Sequence, residues 1–215
     1  MDTSAARRAY RSYRDTPLSV RAFVAARIVV APLGPLGAEF EGLTGSVLSL
    51  GSGLSVVERY LAELEPDLTF EGVDLDQTKV DIIADTAARS PRVRLVYGDA
   101  TVIERDQGYD VVLVCDALHH FPAERHGEVI EMVAGLLNPG GVALIKDLDD
   151  GPRWKYEWNR FHDRIVAGPE PITCRPPAEV AGLLEGAGLQ VEKAERIEFA
   201  LSPYAHYLVR ARRPQ

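Results

Sequence analysis

The chain is short of several things that would fix its class at once. It has only two cysteines in 215 residues, Cys115 within an apolar run and Cys174 in a proline-rich stretch. That excludes a disulfide framework, fits a reducing compartment, and leaves both side chains expected as free thiols. There is no Cys-x-x-Cys pair, and the histidines do not keep metal-ligand spacing, so no metal is expected. The adjacent His119 and His120 with Asp147 are only a weak signal for a divalent ion. Basic charge is also lacking: 24 Lys and Arg face 32 Asp and Glu, a net charge of −8. A phosphate backbone asks for a basic surface, so nucleic acid is not the expected substrate. The exception is local, where Arg7, Arg8, Arg11, Arg14, Arg21 and Arg27 meet only Asp2 and Asp15. A solvated helix face is favoured there over contact with an anionic membrane surface. Long apolar runs are missing too. Arginines interrupt every such run before Ile28, unlike a secretory signal, and the apolar stretch from Phe23 to Leu36 is broken by Arg27 and two prolines. A cytoplasmic location follows as the expectation.

What is present is the composition of a globular protein, 46% apolar and 26% charged, at a length that suits one α/β domain. Helices are expected from Ala5 to about Arg14 and from Ser19 to about Val30, split at Thr16-Pro17. Ala31 to Gly37 reads as a breaker cluster. This gives a helical cap over residues 1–37 and a main domain over 38–215. From there short Val/Leu/Ile strands alternate with helical stretches, the signature of a doubly wound, mostly parallel sheet. Val56, Val57, Tyr60, Leu61 and Leu64 keep helical spacing, as do Val129, Met132, Val133, Leu136 and Leu137 before the Asn138-Pro-Gly-Gly stop. The end differs. Leu189 to Ala200 and Tyr204 to Arg212 are strand-like and joined by only Leu201-Ser-Pro203, too short for a parallel return, so they must form an antiparallel pair.

Ser46-Val-Leu-Ser-Leu-Gly51-Ser-Gly53-Leu-Ser55 carries the chemistry. An apolar run ends in a glycine turn and passes into a helix, so the backbone can approach a ligand closely and offer free N–H groups to an anionic end. About twenty residues on, Phe70-Glu-Gly-Val-Asp74-Leu-Asp76 ends a second run in a carboxylate, where a nucleotide ribose expects its acceptor. Asp74 holds the strand-end position, while Asp76 precedes an apolar-periodic run and suits a helix cap. The pattern indicates a nucleoside-bearing cofactor.

Arg92-Val-Arg-Leu-Val-Tyr-Gly98-Asp99-Ala100, Tyr109-Asp-Val-Val-Leu-Val-Cys115-Asp116-Ala-Leu-His119-His120-Phe-Pro122 and Leu137-Asn-Pro-Gly-Gly141 complete an ordered set. With these motifs the chain, from about Gly45 to Arg212, resembles the class I S-adenosylmethionine-dependent methyltransferases. The resemblance implies an α/β, Rossmann-like, mostly parallel seven-stranded sheet closed by a C-terminal antiparallel hairpin. It implies that Gly51, Ser52 and Gly53 wrap the methionine part of S-adenosylmethionine, that Asp74 binds the ribose hydroxyls and that Leu75 packs on adenine. Asp99 and the backbone at Ala100 would meet the adenine amine, and Asp116 or the Cys115 carbonyl the methionine end. Two positions depart from the pattern. Ser49 stands where the family usually carries an acid, and Ser55 where a third glycine is usual; both weaken the expected hold on the cofactor.

Methyl transfer is an in-line displacement, so the protein must mainly align the acceptor and, for a hydroxyl, remove its proton. Candidates at the ends of the fourth and fifth strands are His119, His120, Lys146, Asp147 and Asp149, with His120 preferred and loop packing as the structural alternative. Trp154, Trp158, Phe161 and Ile165 form one stripe at helical spacing, core or an acceptor pocket, with His162 one turn from Trp158 as a second base. Gly168 to Pro171 and Arg175-Pro-Pro177 flank a stiff lid or connection; His126 and His206 read as structural or solvent-facing. The expected reaction is O-methylation of a small, partly apolar or aromatic molecule. Alternatives are S-adenosylmethionine binding without methyl transfer, a nicotinamide-dependent oxidoreductase, which the antiparallel end argues against, and a non-catalytic module of the same fold.

Overall fold

The structure is a computed structural model that describes residues 1–99, 108–166, 172–197 and 203–215, with the side chains of 163, 165 and 166 left out. Ala100, Gly168 to Pro171, the Ile165 side chain and the Leu201-Ser202 link therefore lie outside the described residues. The chain divides into two compact units, Met1–Glu104 and Arg105–Gln215.

The first unit begins with α1 (Thr3–Arg11), capped by Asp2, whose Oδ1 accepts from the Ala5 N–H at 2.7 Å. α2 (Leu18–Val30) follows where the periodicity placed it. The breaker segment itself holds a short helix, α3 (Leu33–Ala38). Pro35 falls in its first turn, where a missing N–H costs nothing, so prolines that looked disruptive are accommodated. β1 (Gly45–Leu50), β2 (Leu68–Asp74) and β3 (Val93–Tyr97) are all parallel, with β2 between the others. α4 (Val56–Leu64) and α5 (Gln77–Asp85) follow the first two strands. Asp76 caps α5 as expected, accepting from the N–H groups of Thr78 and Lys79 at 3.0 and 3.3 Å. α1 packs on α4, and its Ala5, Ala6 and Ala9 are buried.

A buried arginine ties this unit together. Arg59 of α4 is 0% exposed. It donates to Ser12 Oγ at 2.8 Å and Thr86 Oγ1 at 2.7 Å, and its guanidinium lies 4.5 Å from the Tyr13 ring centroid. Tyr13 in turn donates through its hydroxyl to the Leu54 carbonyl at 2.5 Å.

The second unit holds β4 (Tyr109–Cys115), α6 (His126–Leu136), β5 (Leu137–Leu148), α7 (Arg153–Val166), α8 (Pro177–Gly186), β6 (Gln190–Ile197) and β7 (His206–Arg212). β4 and β5 are parallel and almost wholly buried, which fits their continuous apolar runs. β5 opens earlier than the Asn138-Pro-Gly-Gly stop suggested. Its pairing jumps from Tyr109↔Leu137 to Val111↔Val142, so the proline–glycine segment bulges out of the strand. β7 runs antiparallel to both β5 and β6, the expected C-terminal hairpin. The two units together supply the seven mostly parallel strands of the expected α/β class. Among the described residues no helix is long and apolar enough to cross a membrane.

Candidate functional site

In the first unit, β1 runs into the turn Gly51–Ser55, in which Gly51, Gly53 and Ser55 all have left-handed backbones (φ 67°, 56° and 52°). The turn hangs on β2: the N–H groups of Gly51 and Ser52 donate to the Val73 carbonyl at 2.9 and 3.2 Å, and Gly53 N–H donates to Asp74 Oδ2 at 2.7 Å. Gly72 makes room beneath it, since a Cβ there would stand 2.2 Å from Ser52 Oγ. Asp74 Oδ1 accepts from Asp76 N–H at 3.0 Å. Each carboxylate oxygen keeps a lone pair, so Asp74 is fixed in position and still able to accept from two hydroxyls. Leu75 beside it is 67% exposed, an apolar side chain that suits a flat base. Asp99, after β3, is exposed.

The turn also carries buried oxygens without a hydrogen-bond partner among the described residues: Ser52 Oγ, Ser55 Oγ and Glu58 Oε2. Buried polar atoms are normally paired, so three on one turn and the helix it opens leave hydrogen-bonding capacity there for a ligand, an ion or water. These residues fit S-adenosylmethionine, which the resemblance implies: glycine backbone for the methionine part, Asp74 for the ribose, Leu75 for the base.

Ser55 keeps the left-handed conformation of the missing glycine although it has a Cβ. That conformation costs an L residue about 1–2 kcal/mol, offset by about 0.5–1 kcal/mol of extra backbone entropy for glycine. Ser55→Gly also removes a buried, unpaired hydroxyl. It is expected to stabilise the protein by about 1 kcal/mol in urea titrations; a loss of stability would show that the serine is needed where it stands.

In the second unit, β4 ends at Cys115 and the chain turns through Asp116, another left-handed residue (φ 53°). The Asp116 N–H donates to the Lys146 carbonyl at 2.8 Å, and the buried Lys146 ammonium donates to Asp116 Oδ1 at 2.5 Å. The negative charge of Asp116 is thus offset by Lys146. A 3-10 turn, Leu118–His120, brings two histidine rings to 4.1 Å between centroids. His119 is buried and His120 exposed. His119 Nδ1 is hydrogen-bonded to Asp147 Oδ1, and Asp147 also accepts from His119 N–H at 3.1 Å and Leu148 N–H at 2.6 Å. With Nδ1–H donating to the carboxylate, the tautomer and the plane of the ring are set.

Of the four expected catalytic residues, His119, His120 and Asp147 come together here, whereas His162 joins a different cluster. It lies edge-on to Tyr204 (5.2 Å), which stacks on His206 (5.8 Å), whose Nδ1 is 3.9 Å from Asp116 Oδ1. Asp149 is fully buried, with Arg196 donating to it at 2.5 Å. The α7 stripe is on the surface: Trp154, Trp158 and Phe161 are 61%, 41% and 59% exposed, while Asn159 on the same helix is buried with neither amide atom hydrogen-bonded among the described residues. His126 is structural, as expected. Its Nε2 is 2.9 Å from the Phe121 carbonyl and its Nδ1 accepts from Arg175 at 2.8 Å, and burial, with the Arg175 charge, holds its pKa down. Arg175 also donates to Ala123 O, so that end of the loop is a fixed connection. Cys115 and Cys174 form no disulfide.

Sequence reasoning passed over Glu58, Tyr204 and Asn159. Glu58 had a signal: an acid in the first turn of a helix whose residues Val56 to Ala62 are buried on every side.

Residues 47–141 match the family model described as a methyltransferase domain. Solved structures share the fold. An O-methyltransferase family protein from Burkholderia thailandensis is 23% identical, with 94% of this chain and 62% of that one covered and a TM-score of 0.69. The S-adenosylmethionine-dependent methyltransferase SibL is 22% identical, covering 92% and 58%, with a TM-score of 0.69. The chain thus spans about three fifths of the length of these two. A third, 1,6-didemethyltoxoflavin-N1-methyltransferase from Burkholderia thailandensis with bound 1,6-didemethyltoxoflavin and S-adenosylhomocysteine, is 21% identical, covering 100% and 90%, with a TM-score of 0.68. No curated protein sequence matches the chain.

Proposed function

We propose that this chain, a class I S-adenosylmethionine-dependent methyltransferase, methylates a hydroxyl group of a small, partly apolar or aromatic molecule, with His120 as the base. The observation that carries this reading is the pairing of buried His119 with Asp147 beside the exposed ring of His120. S-adenosylmethionine supplies a methyl group already activated by its sulfonium. What remains for the protein is to hold the acceptor oxygen in line and take its proton. His120 is exposed and carries an imidazole, the side chain best suited to removing a proton near neutral pH. Asp147 holds the neighbouring imidazole still, and its negative charge favours the positive charge that His120 acquires. The exposed aromatic side chains of α7 offer an apolar wall of the kind that a flat acceptor covers. The names of two relatives, an O-methyltransferase family protein and a methyltransferase of a small heterocycle, agree with a small acceptor.

The test is a panel of phenols, alcohols and amines incubated with S-adenosylmethionine, with products identified by mass spectrometry. Methylated oxygen is expected. His120→Ala is expected to lower kcat by about 100- to 1,000-fold near pH 7, with S-adenosylhomocysteine binding unchanged and the loss shrinking as pH rises and the phenol ionises by itself. Methylation confined to nitrogen, or an unchanged kcat, would sink the reading.

A further inference from the structure

We propose that Glu58, in the first turn of α4, supplies the carboxylate that holds the ammonium group at the methionine end of the cofactor, standing in for the acid that is absent at Ser49. The proposal rests on the cofactor reading above and concerns which residue of this chain completes it.

Ser49 and Glu58 are in direct contact. Ser49, 0% exposed at the end of β1, donates from Oγ to Glu58 Oε1 at 2.5 Å. The carboxylate therefore sits beside the position from which the sequence had lost one. It has come from the helix instead of the strand. Glu58 is itself 1% exposed, and its Oε2 has no hydrogen-bond partner among the described residues. A carboxylate oxygen taken out of water and left unpaired is expensive, and the fold draws no evident return from it. The spacing Ser55-Val-Val-Glu58 looks like a capping box, in which the acid would bond back to the start of the helix. That role is vacant, because Ser55 is left-handed and makes no side-chain cap bond. Ser52 Oγ and Ser55 Oγ, on the turn leading into α4, are also buried and unpartnered. An ammonium brings three N–H donors and no acceptor, which is what buried oxygens in this condition lack.

The charges around Glu58 agree. Burial pushes its carboxyl up, the Ser49 hydrogen bond, its own backbone N–H and the Arg27 charge on α2 pull it down, and Asp74 on β2 raises it again; Tyr13 and Arg59 also feel its charge. Burial is the largest of these effects, so the acid is held towards its neutral form until a cation arrives.

The test separates the two ends of the ligand. S-adenosylhomocysteine carries the amino-acid group, and 5′-methylthioadenosine has the same nucleoside without it. In calorimetric titrations Glu58→Gln is expected to weaken S-adenosylhomocysteine by about 10- to 100-fold, the scale of one charge-assisted hydrogen bond, and to leave 5′-methylthioadenosine within about twofold. Returning the acid to the strand in the double variant Ser49→Asp/Glu58→Gln is expected to recover most of the lost affinity. The ligand-free Glu58→Gln protein is expected to melt no lower than the parent at pH 8, since a carboxyl whose pKa is raised by burial costs stability at any pH above its ordinary range. Should it fail to fold, Glu58→Asp retains the charge with a shorter reach, and is expected to weaken S-adenosylhomocysteine severalfold and 5′-methylthioadenosine not at all. Equal weakening of both ligands, or of neither, would overturn the role of Glu58. A parent protein that binds neither ligand would overturn the cofactor reading beneath it.

Discussion

Asp74→Ala is expected to weaken S-adenosylhomocysteine and 5′-methylthioadenosine alike, by about 100- to 10,000-fold. Two hydrogen bonds from ribose hydroxyls to a charged acceptor account for that range, at about 1.5–3 kcal/mol each. The same carboxylate accepts from Gly53 N–H and Asp76 N–H, so its removal also frees the glycine turn from β2. Asp74→Asn keeps the volume but offers only one oxygen, and its amide nitrogen must face one of those two N–H groups. It is expected to fall between the parent and Asp74→Ala. Isothermal titration with both ligands is the measurement. The pattern differs from that of Glu58→Gln, which should spare the nucleoside lacking the amino-acid group. Asp74→Ala binding within about threefold of the parent would remove Asp74 from the site.

The second large effect is on stability. Arg59→Ala is expected to cost about 3–5 kcal/mol, the range for opening a large cavity and breaking a buried hydrogen-bond network at once. Ser12 Oγ already donates to the Ala9 carbonyl, and Thr86 Oγ1 has the Ile82 and Ile83 carbonyls within reach for its own proton. Both are left with lone pairs that only Arg59 answers. A cavity opens as well, because Arg59 is the largest fully buried side chain. For a chain of this size each kcal/mol moves Tm by about 2–4 °C, so a drop of roughly 10 °C is expected in a thermal melt. Arg59→Met, which fills much of the volume without a charge to bury, is expected to recover part of it. A melt unchanged by Arg59→Ala would show that the network contributes nothing.

The parts of the site that could be read from the sequence are those made of backbone and of strand ends. Gly51 and Gly53 announce a turn whose φ angles only glycine takes easily, and Asp74 announces itself by ending an apolar run. Asp76 could be told from Asp74 because a helix start has its own residue preference, and it caps α5 as that preference demands. The parts that were illegible depend on where side chains meet across the fold. Nothing in the linear order says that Glu58 would turn from its helix to Ser49, because Ser-x-x-Glu is the spacing of a local cap. Nothing says that Arg59 would reach Ser12 and Thr86, far away on either side of it. The α7 stripe misleads in the other direction. Helical spacing of Trp154, Trp158 and Phe161 implies one face, but spacing does not say whether that face meets protein or water. Asp116 was legible as a strand-end acid, whereas its pairing with Lys146 depends on the register of β4 against β5.

The hydrogen bond from Tyr13 to the Leu54 carbonyl places the glycine turn under the control of residues some forty positions earlier. A bond of this kind acts in both directions. Whatever steadies the turn slows the fraying of the amino-terminal helices, and whatever loosens those helices shortens the residence time of anything held by the turn. A protease clipping between α1 and α2 would loosen the glycine turn without cutting it.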